Sequence, residues 1–156
     1  MPEILMICTG NVCRSPVVET LLQKRLIERG VADCTVHSAG TKVTHSHPAS
    51  RFSVEVIYET ESIDLKDHRS KIVTQAMVQQ ANLVLCMEAK HKQFLRLVNP
   101  AENGKIFLLS EMVSNSTGKD VPDPYGEDKL AYQKMVETVT NLVDQGFERI
   151  IQLARN

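Results

Sequence analysis

The chain has 156 residues, 42% of them hydrophobic and 24% charged, which suits one globular domain with a single core and leaves too little chain for two. Eighteen Lys and Arg against 19 Asp and Glu give a formal net charge of −1, so no global field favours nucleic acid or an acidic membrane surface, and any anion must be recognised locally. The apolar run after Met1 has no basic flank and is too short for a signal peptide or a membrane span, which predicts a cytoplasmic protein.

Four cysteines, Cys8, Cys13, Cys34 and Cys86, are then expected to be reduced, and no CxxC pair suggests zinc. Cys34 and Cys86 read as small buried hydrophobes.

Ile4 to Ile7 is a continuous apolar run ending at a Gly-containing loop, the pattern of a strand buried on both faces in a parallel sheet. After the loop, Ser15 is placed to cap a helix with Pro16 in its first turn. Val18, Leu21, Leu22 and Leu26 form the apolar stripe of that helix and Gly30 its stop.

A second strand is predicted around 33–38, where Cys34, Val36 and Ser38 alternate with Thr35 and His37. Pro48 to Thr60 predicts a helix turning Phe52, Val56 and Tyr58 inward, and Ile63 to Ser70 reads as polar connection. Thr74 caps a short helix ending at Gln80. Asn82 to Met87 is the second continuous apolar run, hence a central strand. A helix over 88–98 follows, with His91, Phe94, Leu95 and Val98 on its packing face and Asn99-Pro100 as its stop.

Lys105 to Leu109 supplies a fourth strand. Residues 110–126, with Asn115, Ser116, Gly118, Pro122, Pro124 and Gly126, read as a long loop of the kind that is usually functional or disordered. Glu127 to Ala154 repeats its apolar residues near period 3.6, a long amphipathic helix with Gly146 as a weak point. Strands alternating with helices over 1–156 predict a single α/β domain, a parallel sheet covered on both faces.

Chemistry concentrates in the loop after the first strand, where α/β sheets commonly bind ligands. A cysteine, five intervening residues and an arginine (Cys8 to Arg14) bring a thiol, backbone N–H groups and a guanidinium together. The helix behind them aims its unsatisfied N–H groups and positive dipole at the same point, a natural seat for a phosphoryl group. Gly10 allows close backbone approach. The dipole and Arg14 favour the thiolate form of Cys8, and the planar fork of Arg14 suits two equatorial phosphoryl oxygens better than a lysine would.

A thiolate displacing an alkoxide or phenoxide needs a proton delivered to the leaving oxygen, and Asp123-Pro124-Tyr125-Gly126 in the long loop offers a carboxyl group stiffened by Pro122 and Pro124. Tyr125 can form an apolar wall for an aromatic substrate. The plain structural role of Asp123-Pro124 is an Asx-turn.

Through CTGNVCRSP at Cys8 to Pro16, SAGT at Ser38 to Thr41, LVLCMEAKH at Leu83 to His91 and DPYG at Asp123 to Gly126, the chain resembles the low-molecular-weight protein tyrosine phosphatases over nearly its whole length. The resemblance implies a four-stranded parallel sheet, no metal or other cofactor, phosphorylated protein as substrate, phosphate and vanadate as inhibitory anions, and hydrolysis through a phosphocysteine. It matches Cys8 to the nucleophile, Arg14 to the phosphate-binding arginine and Asp123 to the general acid. It further matches Asn11, helped by Ser38, to the residue that holds the loop's shape, and Ser15 to the hydroxyl that stabilises the sulfur. Cys13 matches a second cysteine able to form a reversible disulfide with Cys8. Thr9, Gly10 and Val12 complete the loop around the substrate, and Tyr125 matches an aromatic wall.

Val12, where related protein-arginine phosphatases carry threonine, and Tyr125 both favour phosphotyrosine, with phosphoarginine as the alternative. A thioredoxin-coupled arsenate reductase would need two further redox cysteines on one mobile segment, where only Cys86 stands. A non-hydrolytic phosphocysteine carrier would have no use for Arg14 and Asp123. His45-Ser46-His47 has metal-like spacing but lies in a polar loop without further ligands, and reads as exposed. His37 and His68 read as structural or surface residues, and Lys66, His68, Arg69 and Lys71 as a solvated basic cluster. The physiological substrate and the oligomeric state are open at this level.

Overall fold

The computed structural model describes residues 1–114 and 118–156. Four strands, β1 (Glu3–Cys8), β2 (Thr35–Gly40), β3 (Leu83–Cys86) and β4 (Ile106–Leu108), form one parallel sheet in the order β2-β1-β3-β4. Successive side chains of β1 alternate between its faces. Ile4, Met6 and Cys8 join the core under α1 (Arg14–Glu28), α2 (Arg51–Glu61) and α5 (Lys129–Arg155). Leu5 and Ile7 join a smaller core with Val78 and Ala81, at α3 (Gln75–Gln80), and Leu95 of α4 (Ala89–Val98). The strand order reverses at β1, so the crevice beyond the carboxyl ends of β1 and β3 is where such a sheet receives a ligand.

Local sequence explains the ends of the elements. Gly30, at φ 69°, closes α1 by donating its N–H to Ile27 O while Val31 donates to Leu26 O, satisfying two carbonyls that the helix leaves open. Thr74 caps α3 by accepting the Met77 N–H, and Asp128 caps α5 by accepting that of Ala131. Among the described residues no helix is long and apolar enough to cross a membrane.

Several elements differ from the pattern reading. Helix α1 begins at Arg14, with Cys13 at the N-cap and no side chain closing that end; Ser15 is inside the helix and its hydroxyl turns to Cys8 instead. Strand β2 lies two residues later than predicted, because its register runs from Glu3↔Thr35 to Cys8↔Gly40. Cys34 therefore precedes the strand and is half-buried. Helix α2 starts at Arg51 rather than Pro48, and its buried face is Ser53, Val56 and Ile57, which turns Tyr58 out to solvent.

On α4 only His91 and Leu95 are buried, and Phe94 and Val98 face outward. Gly146 is a close-packing position and no weak point: a Cβ there would lie 2.8 Å from Met112 Cβ. The expected 110–126 loop opens with a 3-10 turn, Leu109–Met112, packed on α5. Asn115 and Ser116 of that loop lie outside the described residues.

Candidate active site

Residues 8–15 leave β1 and enter α1 as a loop held from several sides. Thr41 and Lys42 donate their N–H groups to the carbonyls of Cys8 and Thr9, extending the β1–β2 pairing into the loop. Gly40 makes this possible: a Cβ there would stand 2.5 Å from Thr9 O and 3.0 Å from Asn11 N.

Asn11 is fully buried at φ 56°, a conformation asparagine tolerates better than most residues. Its amide donates to Ser15 Oγ (2.8 Å) and Ser38 Oγ (2.9 Å), and its Oδ1 accepts the Lys71 N–H (3.0 Å). The Ser38 hydroxyl donates in turn to Glu19 Oε1 at 2.6 Å, and His68 Nε2 donates to the Asn11 carbonyl at 2.7 Å.

Cys8 Sγ lies at the centre of this loop. Asn11 N–H donates to it at 3.3 Å, and Ser15 Oγ is 2.9 Å away. Because Ser15 Oγ already accepts from Asn11, its proton is free to point at the sulfur. Two donors and the uncapped end of α1 thus converge on one atom.

Arg14 is 1% exposed. Its Nη1 donates to Glu88 Oε2 and to Val121 O, both at 2.8 Å, and its Nη2 lies 3.5 Å from Asp123 Oδ2. Nε has no partner among the described residues. A buried guanidinium with an unsatisfied donor beside a thiol is built to receive an oxyanion.

Asp123 does two things at once: Oδ1 accepts the Tyr125 N–H (3.0 Å) in an Asx-turn, and Oδ2 faces Arg14. Glu88, the N-cap residue of α4, is fixed in turn by His91. Burial, reinforced by the Arg14 charge, pushes the His91 imidazole down to about 4, so it is neutral. Its Nδ1 accepts the Glu88 N–H (3.1 Å), which leaves the proton on Nε2 to be donated to Thr9 Oγ1 at 2.8 Å.

The loop floors a cleft of about 340 Å³. Val12, Cys13, Asp123 and the exposed Tyr125 line it, and a second wall segment is formed by Lys42 to His45 with His47. Ser70 straps that second wall, accepting the His47 N–H at 2.8 Å and donating to His45 O at 3.1 Å. Cys13 Sγ is 3.0 Å from Ser50 Oγ and 3.3 Å from Tyr132 OH, and burial pushes its thiol up. Cys86 is fully buried in β3 and its thiol is pushed up by the same cause.

Every residue singled out in the sequence for this site lies in or directly behind the cleft. Sequence reasoning missed Glu88 and His91, which hold Arg14 and Thr9; His68, expected as a structural or surface residue, is structural, donating to the Asn11 carbonyl. It also missed the cleft wall from Lys42 to His47. The signal for Glu88 was its place at the end of the second apolar run, beyond the carboxyl end of a strand adjacent to β1.

Among the described residues no group of three or more His, Cys, Asp or Glu is arranged to hold a metal ion, and His45 and His47 are exposed with ring centroids 6.2 Å apart.

The family model described as low molecular weight phosphotyrosine protein phosphatase matches residues 3–155. The chain is 35% identical over 147 residues, 94% of each chain, to a probable low molecular weight protein-tyrosine-phosphatase, EpsP, of Ralstonia nicotianae. Its fold is similar, with a TM-score of 0.89 and 36% identity, to the low molecular weight protein tyrosine phosphatase of T. tengcongensis, covering 96% of this chain and 99% of that one. It is also similar to a cysteine-to-serine mutant of the YwlE arginine phosphatase that has a phosphorylated active site serine, with a TM-score of 0.88, 32% identity and 95% of each chain covered.

Proposed function

Because this chain belongs to the low molecular weight phosphotyrosine protein phosphatase family, we propose that it hydrolyses phosphotyrosine in proteins through a phosphocysteine on Cys8. The observation that carries the reading is the meeting of Arg14 and Asp123, more than a hundred residues apart in sequence, in the cleft floored by Cys8.

Arg14 Nε and Nη2 bind two phosphoryl oxygens, with Nη1 anchored by Glu88 and Val121, so the guanidinium follows the charge into the transition state without reorganising. The Cys8 thiolate attacks phosphorus in line, the bond from phosphorus to the tyrosyl oxygen breaks, and Asp123 gives its proton to that oxygen. In the second half, Asp123 takes a proton from water as the water attacks phosphorus. The S–P bond breaks and inorganic phosphate leaves, with Ser15 stabilising the departing thiolate. The phosphorylated serine in the YwlE mutant supports a covalent intermediate at this position.

Phosphoarginine is the second reading, favoured by the similarity to YwlE. The two substrates meet Val12 and Tyr125 at the cleft wall, where Val12 has no hydroxyl to offer a guanidinium and Tyr125 can stack on a phenyl ring.

The test is kcat/KM on phosphotyrosine and phosphoarginine peptides, with Val12→Thr beside the parent chain. Turnover of phosphotyrosine, lost in Cys8→Ser, is expected, and Val12→Thr should move the ratio toward phosphoarginine. A parent chain active only on phosphoarginine would replace the first reading by the second.

A further inference from the structure

Beside the cleft is a second recess of about 240 Å³, bounded by Thr9, Thr41, Lys42, Lys90, His91 and Phe94. It shares Thr9 and Lys42 with the cleft, so the two spaces adjoin at one flank of the loop. Lys42 is exposed, and the Lys90 side chain is 64% exposed. The carboxylates nearest this flank are already engaged. Glu88 binds Arg14 at 2.8 Å and lies 3.7 Å from the Lys90 ammonium, and Asp120 accepts the Ala89 N–H at 2.7 Å.

His91 presents a neutral ring here and Phe94 is 44% exposed. Asp123 lines the cleft but not this recess, and the separate recess that it also lines holds Glu127 and Asp128. Among the described residues the recess is therefore lined by two cations and by no carboxylate.

We propose that the recess is a substrate subsite for an acidic side chain, Asp or Glu, one or two residues from the phosphorylated one. Its carboxylate lies between Lys42 and Lys90, and its methylenes rest on Phe94. An extended peptide advances about 3.3 Å per residue, so the residues one or two positions from the phosphorylated one are those that an adjoining recess would meet. This rests on the phosphatase reading above. Two exposed cations acting on one carboxylate make a modest, salt-sensitive contribution, and we expect an acidic neighbour to raise kcat/KM about 3- to 10-fold, chiefly through KM.

The experiment uses otherwise neutral phosphotyrosine and phosphoarginine peptides carrying Glu, Gln or Lys at each of the two positions on either side of the phosphorylated residue. It measures kcat/KM at low and high salt. The parent chain should prefer Glu over Gln over Lys at one or more of these positions. The ratio should shrink at high salt, fall within about twofold in the Lys42→Gln, Lys90→Gln double variant, and turn toward Lys in Lys90→Glu.

Equal rates on Glu and Gln peptides, or a preference that survives in the double variant, would remove the subsite and leave the phosphatase reading standing. Failure to hydrolyse either kind of phosphopeptide would remove both.

Discussion

Asn11 is the residue on which the loop's shape depends most, and Asn11→Ala tests that. The substitution deletes the donors to Ser15 and Ser38 and the acceptor for Lys71 N–H, three hydrogen bonds within 3.0 Å. Each contributes about 0.5–1 kcal/mol net, since Ser15 and Ser38 keep other partners. Alanine must also hold φ 56°, which adds about 1 kcal/mol. The total is roughly 3 kcal/mol, or a fall in Tm of about 6–12 °C for a chain of this size.

Ser15 is then no longer held against Cys8, and a displacement of about 1 Å in the loop should lower kcat about 100-fold. Asn11→Gly separates the two causes, because glycine adopts the same φ without strain. It should lose the same bonds yet be about 0.5–1 kcal/mol more stable than the alanine variant. Thermal and guanidinium unfolding read the stability, and p-nitrophenyl phosphate turnover the activity. An alanine variant within 1 kcal/mol of the parent and within twofold in kcat would refute the reasoning.

Asp123→Asn should cost far more kcat on phenyl phosphate than on p-nitrophenyl phosphate, because a good leaving group hardly needs the proton; equal losses would take Asp123 out of the acid role. His91 is held near 4 in the fold against an ordinary 6.5, so between these values the unfolded chain takes up a proton that the folded chain refuses. Its contribution is complete above about pH 6.5 and is lost as pH falls toward 4. In urea unfolding at pH 7.0, 5.5 and 4.5, His91→Gln should therefore lose about 2 kcal/mol less than the parent over that range, and parallel losses would contradict the assignment. Gly146→Ala should destabilise by about 1–3 kcal/mol through its clash with Met112, although helix propensity alone would make it stabilising by up to about 1 kcal/mol; a raised Tm would show that Met112 yields.

The parts of the fold that periodicity made legible are those where one face dictates the pattern. The apolar runs of β1 and β3 and the stripe of α5 bury what their spacing says they bury. The errors fall where a neighbour decides instead. β2 is set by its register against β1, and α2 and α4 touch the core through narrower stripes than their apolar residues suggested, leaving Tyr58 and Phe94 outside. Gly146 differs from its pattern for the same reason, since a glycine's use depends on what packs against it and Met112 is 34 residues away in sequence.

Inside the site the same distinction separates the loop from its supports. Cys8, Asn11, Arg14 and Ser15 lie within one eight-residue stretch, so their chemistry reads as a unit, and the Asx-turn at Asp123 is compatible with a carboxylate facing Arg14 because the two roles use different oxygens. Glu88 has only its place beyond the second apolar run as a local signal and His91 and His68 have none, and each matters through a single hydrogen-bonding partner in the loop or in Arg14. A buried cation with two of its donors fixed by protein cannot turn away from the cleft, so Glu88 and Val121 direct the remaining donors of Arg14 toward it. Glu88 also offsets part of the cost of burying that charge. Glu88→Gln should therefore act on both: it should raise the phosphate or vanadate concentration needed for half-inhibition, through Arg14, and lower the Tm, because the buried guanidinium loses the carboxylate that offsets its charge; an unchanged inhibition constant in a variant of lowered Tm would leave Glu88 a purely structural role.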